Sequence, residues 1–214
     1  MIGYSLSIFL VIPLAVIIYY FGRPLHRNEY KLYLVALIIS SINVLLIVLG
    51  VELPSGLNLL QNGNITFAFF TLVMFGGAFR KKTTPYKKIL QVRRELAITG
   101  FIFLLPHAFL RLELALNGYN FTGLIAAIIM IPLVITSFTF VRKKMRPLTW
   151  KRVHYGAYVV FLMIYIHLGY VLFLFNGDLT ICYKESSILY HILFGGYIIL
   201  KMDRVLYQKR NKKV

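Results

Sequence analysis

Three of the five histidines stand out among the side chains that can bind a metal or move a proton: His107, His154 and His167 lie inside or at the mouth of two long apolar stretches. An imidazole in hydrocarbon is unfavourable unless something pairs with it, so a histidine within a membrane span is a functional candidate by default. Neutral imidazoles projecting from two facing helices can ligate a haem iron held between them. The same residues could also be buried histidines that only hydrogen-bond a neighbouring helix, and their depth has to separate the two readings. Little else offers competing chemistry. The single cysteine, Cys182, excludes an intrachain disulfide or a thiolate cluster and reads as an incidental loop residue. The seven carboxylates fall in loops or at the ends of apolar stretches, so no general acid–base constellation is visible.

The apolar stretches are what must position those histidines. The chain has 214 residues, 59% hydrophobic and 14% charged, with a mean hydropathy of +0.74, the balance of a membrane protein. A net charge of +17 does not point to nucleic acid. A groove-binding protein needs a basic face on a soluble fold, whereas these lysines and arginines sit in short connectors between apolar runs. Runs of spanning length (about 17–25 residues) occur at 3–22, 32–51, 64–79, 96–115, 121–141, 153–175 and 187–202. The expectation is an all-α, polytopic transmembrane helix bundle of seven spans, or six if the short third run, which holds Gly76 and Gly77, does not cross. No repeat or low-complexity segment is evident. A cleavable signal is not expected either, because the first charges, Arg23, Arg27 and Lys31, follow the first apolar run. The chain divides into N-terminal spans (1–60), a helical core (61–205) and a basic tail (206–214).

Of the 24 lysines and arginines, three lie in 23–31, seven in 80–94, six in 142–152 and six in 201–214, with only Arg111 and Lys184 elsewhere. These regions alternate between successive spans, which sets the amino terminus outside and the carboxyl terminus in the cytoplasm. His107 then lies 13 residues beyond Arg94 and His167 15 residues beyond Arg152, depths of about 20 and 22 Å at the helical rise. Matched depth on two parallel spans favours a shared ligand. Pro106 removes a helix hydrogen bond just before His107, where a kink would make room for a macrocycle. His154, at the cytoplasmic start of its span, is either an interfacial residue or an inner ligand; it points about 140° away from His167 on an ideal helix unless Gly156 makes the helix irregular. His191, 10 residues before Lys201, is a reserve ligand, a quinone-site residue or a packed polar group. His26, between Arg23 and Arg27, is expected in solvent. Arg111 and Glu113 either anchor a span at the interface or, for Arg111, meet a haem propionate. The basic connectors suit anionic lipid headgroups, or a docking face for an acidic flavoprotein or a reduced flavin. Sequons at Asn64 and Asn120 carry meaning only in a eukaryotic secretory context.

Val92-Arg93-Arg94 followed by an apolar stretch to His107, then Thr136-Ser137 through Arg142-Lys143-Lys144 to Trp150-Lys151-Arg152-Val153-His154 and on to His167, resembles the signature of the ferric reductase-like transmembrane family. Within it the pattern is most similar to the MsrQ (YedZ) branch, the haem-containing membrane subunit that feeds electrons to a methionine sulfoxide reductase. The resemblance covers about residues 80–175. It implies a haem-binding helical bundle that carries electrons across the membrane. His107 and His167 would be axial ligands of an outer b-type haem, and His154 would belong to an inner redox site. Arg93 and Arg94 would match a basic pair that meets haem propionates or flavin phosphate. Two departures stand out. Relatives with two haems carry two histidines on each ligating helix, whereas here the fourth span has only His107, with Arg93 and Arg94 at the depth of His154. The flavin and nicotinamide domain of the ferric reductases has no counterpart after residue 205, so electrons are expected from a separate cytoplasmic flavin reductase or the quinol pool, with FMN or a quinone as carrier. The resulting expectation is a multi-pass protein of a bacterial cell membrane with one haem b, a second at His154 being the alternative. It would pass electrons to an extracytoplasmic redox protein such as a sulfoxide reductase, or to ferric iron. The rival classes are a proton-coupled transporter, which would want carboxylates beside its histidines, and a haemless scaffold.

Overall fold

The computed structural model describes residues 6–54, 58–175, 177–184 and 188–211. Helix α3 (Asn64–Gly76) is its axis: nine of its 13 residues are buried. Against it pack α1 (Leu6–Arg27) and α4 (Thr84–Leu116), and Phe67 and Met74 of α3 share a cluster with Phe161 of α8 (Gly156–Gly169) and Tyr190, Phe194 and Tyr197 of α9 (Ile188–Arg210). Helix α2 (Glu29–Val48) lies on α4, and α5 (Thr122–Ile135) lies against both α4 and α8. Two short helices, α6 (Thr139–Arg142) and α7 (Pro147–His154), lead from α5 into α8. Three helices among the described residues, α1, α2 and α4, are long and apolar enough to cross a membrane. Helix α3, at 13 residues, rises only about 20 Å against a hydrocarbon slab of about 30 Å. Its enclosed position makes that tolerable, since the carbonyl of Gly77 beyond its end accepts from Lys201 Nζ (3.2 Å) and Arg204 Nη1 (2.5 Å) rather than facing lipid.

The basic regions gather at one end of the bundle. There Lys88 Nζ donates to the Tyr19 carbonyl (2.7 Å), Arg80 holds Asp203 through two bonds (2.6 and 2.5 Å), and Arg94 reaches Thr139. Helix α4 starts 12 residues before the apolar run read from the sequence, because Pro85 suits a first turn and the Lys, Gln, Arg and Glu that follow are good helix formers. It also runs unbroken through Pro106. The carbonyl of Ile102, deprived of its helical donor, accepts instead from Ser40 Oγ of α2 at 2.7 Å.

The all-α expectation needs correction in one place. The run 153–175 is not a single helix: α8 ends at Gly169, and Tyr170–Phe175 form β1, antiparallel to β2 (Asp178–Tyr183) with Tyr170 opposite Tyr183 and Phe175 opposite Asp178. A short apolar run does not distinguish strand from helix by periodicity, and this one is rich in aromatic residues and carries Val171, types that favour extended backbone. The run 121–141 likewise divides between α5 and α6. The hairpin straps the α4–α5 turn at the end opposite the basic one. Asn120 N donates to the Leu172 carbonyl (2.6 Å) and Leu174 N to that of Gly118 (3.0 Å).

Gly118 is the strap's weak point. Its φ is +85°, and a Cβ there would fall 2.0 Å from the Leu174 carbonyl oxygen. Gly177, at the hairpin turn, shares the positive φ (+91°) but has nothing within 4 Å. Gly177→Ala should lose only the conformational term, about 1–2 kcal/mol. Gly118→Ala should lose that and the two strap hydrogen bonds, roughly 1 kcal/mol each, and so show the larger fall in thermal midpoint in detergent. Equal falls would mean that the strap contributes nothing to stability.

Candidate functional site

His107 on α4 and His167 at the end of α8 meet at the strap end: their ring centroids are 6.2 Å apart and the planes lie at 87°. The two helices scarcely touch, since α5 lies between them. Two metal–imidazole bonds of about 2.0–2.1 Å, plus the distance from each bonded nitrogen to its ring centre, come to about 6 Å, so this pair suits a single metal centre. His107 Nδ1 donates to the Gln61 carbonyl at 2.8 Å, which fixes the tautomer and leaves the Nε2 lone pair able to accept or to bind a metal. His167 Nδ1 is buried with no hydrogen-bond partner among the described residues. Such an orphan beside a second imidazole fits a histidine whose partner comes from outside the chain. The backbone of His167 is pinned as well: its carbonyl accepts from Lys184 Nζ (2.9 Å) and Asn120 Nδ2 (3.3 Å). Each ring lies against a glycine. A Cβ on Gly63 would sit 3.3 Å from His107 Cγ, and one on Gly123 would sit 2.7 Å from His167 Cε1.

His154 lies apart from this pair. Its Nε2 is 3.2 Å from Thr136 Oγ1, its ring lies over Trp150 (4.1 Å, 34°), and Trp150 Nε1 donates to the Thr136 carbonyl (3.0 Å). The helix is irregular at Tyr155, whose N–H is shared between the Lys151 and Arg152 carbonyls, but this irregularity does not bring His154 to the side of His167. Among the described residues no histidine faces His154; its charged neighbours are Arg93 and Arg142.

Arg93 and Arg94 do not act as a pair. Arg94 turns toward α1, α2 and α6, where it binds Glu29, Glu95 and Thr139. Arg93 faces the other way, toward Tyr158, Tyr197 and Arg204. It has no acidic partner among the described residues. Arg111 is exposed, one turn beyond His107. His191 Nδ1 pairs with the Tyr165 hydroxyl at 2.8 Å, and the ring stacks on Tyr183.

His26 is exposed, as expected, but it also has a partner that the sequence did not reveal. Its Nδ1 lies 2.9 Å from Glu95 Oε1, and although His26 is half exposed, the Glu95 side chain is only 1% exposed. Sequence reasoning placed Glu95 at a span end and missed this cluster of His26, Glu29, Arg94 and Glu95. The signal was available, since opposite charges flank the ends of the first, second and fourth runs that meet there. Donor atoms of His26, Glu29 and Glu95 lie within 4.8 Å of one another, but the guanidinium of Arg94 already holds both carboxylates, which makes this a closed ion cluster.

Gly123→Ala should displace the His167 ring, costing about 1–3 kcal/mol as overpacking does. In histidine-labelled protein the His167 resonances should shift while those of His154 stay put; an unmoved His167 would show that the glycine contact does not set the ring's position.

The family model described as ferric reductase like transmembrane component matches residues 62–165, which takes in Arg93, Arg94, His107 and His154 and stops two residues short of His167. A protein of Treponema pallidum (strain Nichols), described as uncharacterized, is 28% identical over 165 residues, 71% of this chain and 46% of its own length. The chain thus spans about half the length of the curated relative it matches. No solved structure matches. The family match, on a bundle with three helices able to cross a membrane, supports a ferric reductase-like transmembrane domain over residues 62–165.

Proposed function

We propose that the protein is a b-type haem electron-transfer subunit of the cell membrane, most akin to the MsrQ branch, that passes electrons from a cytoplasmic flavin or quinol donor to an extracytoplasmic acceptor. The observation that carries this reading is the meeting of His107 and His167 at 6.2 Å from helices that scarcely touch. Bound there, a haem supplies reversible one-electron chemistry. The chain's residues do the rest. Gln61 orients His107, the Gly63 and Gly123 backbones set how closely each ring can be approached, and Lys184 with Asn120 fixes the end of α8.

The proposal has seven spans with the basic end in the cytoplasm, a reading that the alternating basic connectors and the positive-inside rule support. The acceptor, a redox protein such as a methionine sulfoxide reductase or ferric iron, then meets the strap end, while a flavin reductase or quinol delivers at the basic end. A second bis-histidine haem is not part of the proposal, because His154 is held by Thr136 and Trp150. Arg93, partly buried and with no acidic partner among the described residues, is the residue best suited there to a propionate or flavin phosphate. One observation favours the rival proton-coupled reading, namely buried Glu95 beside His26. Arg94 closes that cluster, and Glu95 lies 12 residues before His107 on α4, about 18 Å along the helix.

Protein expressed with haem available should be red, with the reduced spectrum of a low-spin b-type haem. His107→Ala and His167→Ala should each abolish that spectrum, and His154→Ala should keep it. A colourless wild type sinks the proposal, and full low-spin haem in either of the first two variants sinks the ligand assignment.

A further inference from the structure

An apolar crevice lies away from the pair His107 and His167. It has a volume of about 360 Å³ and opens between α1, α3, the start of α4 and α9, with Val11, Ala15 and Ile18 on one wall and Phe75, Phe79 and Leu193 on the other. From Val11 to Tyr19 it follows eight residues of α1, about 12 Å along the bundle axis. Three chemically different surfaces meet in it. The walls are apolar. Its basic end is marked by Lys88, tethered to the Tyr19 carbonyl at 2.7 Å and over the Tyr19 ring at 4.8 Å. Thr71 is also in its lining, only 2% exposed, and its hydroxyl has no hydrogen-bond partner among the described residues. Arg23 stands one turn beyond Tyr19, and Lys81, Lys82 and Lys87 occupy the neighbouring connector and first turns of α4. The acids at this end are already taken, Asp203 by Arg80 and Glu29 and Glu95 by Arg94.

We infer that this crevice binds an anionic phosphoglyceride. One such molecule answers all three surfaces. Its acyl chain lies along the apolar walls, an ester carbonyl accepts from the Thr71 hydroxyl, and the headgroup phosphate meets Lys88 and the lysines beside it. A neutral hydrocarbon would leave the hydroxyl and the ammonium unanswered, and a soluble phosphate would leave the walls exposed. The site is separate from the histidine pair and stands whether or not that pair holds haem.

The test uses the full chain in lipid nanodiscs of phosphatidylcholine alone or with phosphatidylglycerol, followed by native mass spectrometry of the released protein and a thermal midpoint. Wild type should retain phosphatidylglycerol in preference to phosphatidylcholine and melt higher in its presence. Lys88→Gln should lower the preference about fivefold, equivalent to about 1 kcal/mol for one lysine at a headgroup. Ala15→Phe should fill the crevice and abolish retention. Thr71→Val, nearly unchanged in shape, should weaken retention without lowering the midpoint in phosphatidylcholine, which separates lost binding from lost folding. Equal retention of the two lipids by wild type, or wild-type retention by Ala15→Phe, would overturn the inference.

Discussion

The hydrogen bond from Ser40 to the Ile102 carbonyl is the contact on which the rest of the arrangement around His107 depends. Pro106 has no N–H to give, so the carbonyl one turn back is left open. In water the solvent would take it; inside a bilayer an unpaired carbonyl costs several kcal/mol. Ser40 is 1% exposed and supplies the missing donor from a neighbouring helix. The same contact explains how α2 docks. Its buried residues are Ala36 and Ser40, a pair of small side chains four apart that lets two helix backbones approach closely. Leu34, Val35, Leu37, Ile38, Ile42 and Leu45 face outward, as the lipid side of a spanning helix should. A proline in the middle of α4 is therefore affordable only where α2 sits, and that place is one residue from the imidazole.

Charge is distributed by the same logic of enclosure. Successive residues of a helix project about 100° apart, so Arg93, Arg94 and Glu95 face three directions. Arg94 and Glu95 turn into the junction of α1, α2 and α6, where His26 and Glu29 complete a cluster that joins four helices. Such buried ion pairs add little net stability against apolar residues of the same size, but losing one partner strands the other charge. The cluster thus works as a constraint on how α1 and α2 may sit. Arg93 is excluded from it by geometry, which is why it alone of the pair faces the tyrosines of α8 and α9.

Much of this was legible in the sequence, and what was not has identifiable physical causes. Long apolar runs with basic flanks locate α1 and α2 with ends three to five residues off, because lipid-facing helices need little beyond hydropathy. Helix α4 was read too short, since a hydropathy window stops at charge whereas a helix does not. The β1–β2 hairpin was invisible because Tyr170–Phe175 continue the apolarity of α8, and only the pairing with Asp178–Tyr183 distinguishes them. Depth counting from Arg94 and Arg152 set His107 and His167 level. It could not say that their rings would meet, which depends on how α5 spaces the helices. Glu95 and His26 escaped because each was weighed against its own segment, and the pairing exists only between segments.

The hairpin also explains how two helices that hardly touch can hold their histidines at one separation. Were α8 to continue as a helix past Gly169, its next backbone groups would bond within the helix and none would reach the α4–α5 turn. Extended backbone frees the Leu172 carbonyl and the Leu174 N–H for Asn120 and Gly118, while Lys184 returns from the second strand to the carbonyl of His167. The end of α8 is thus tied to the end of α4 by a short path of hydrogen bonds, and α5 packs between the two helices. The strap and α5 together thus set the separation of α4 and α8 at the level where the two imidazoles meet, 6.2 Å between ring centroids.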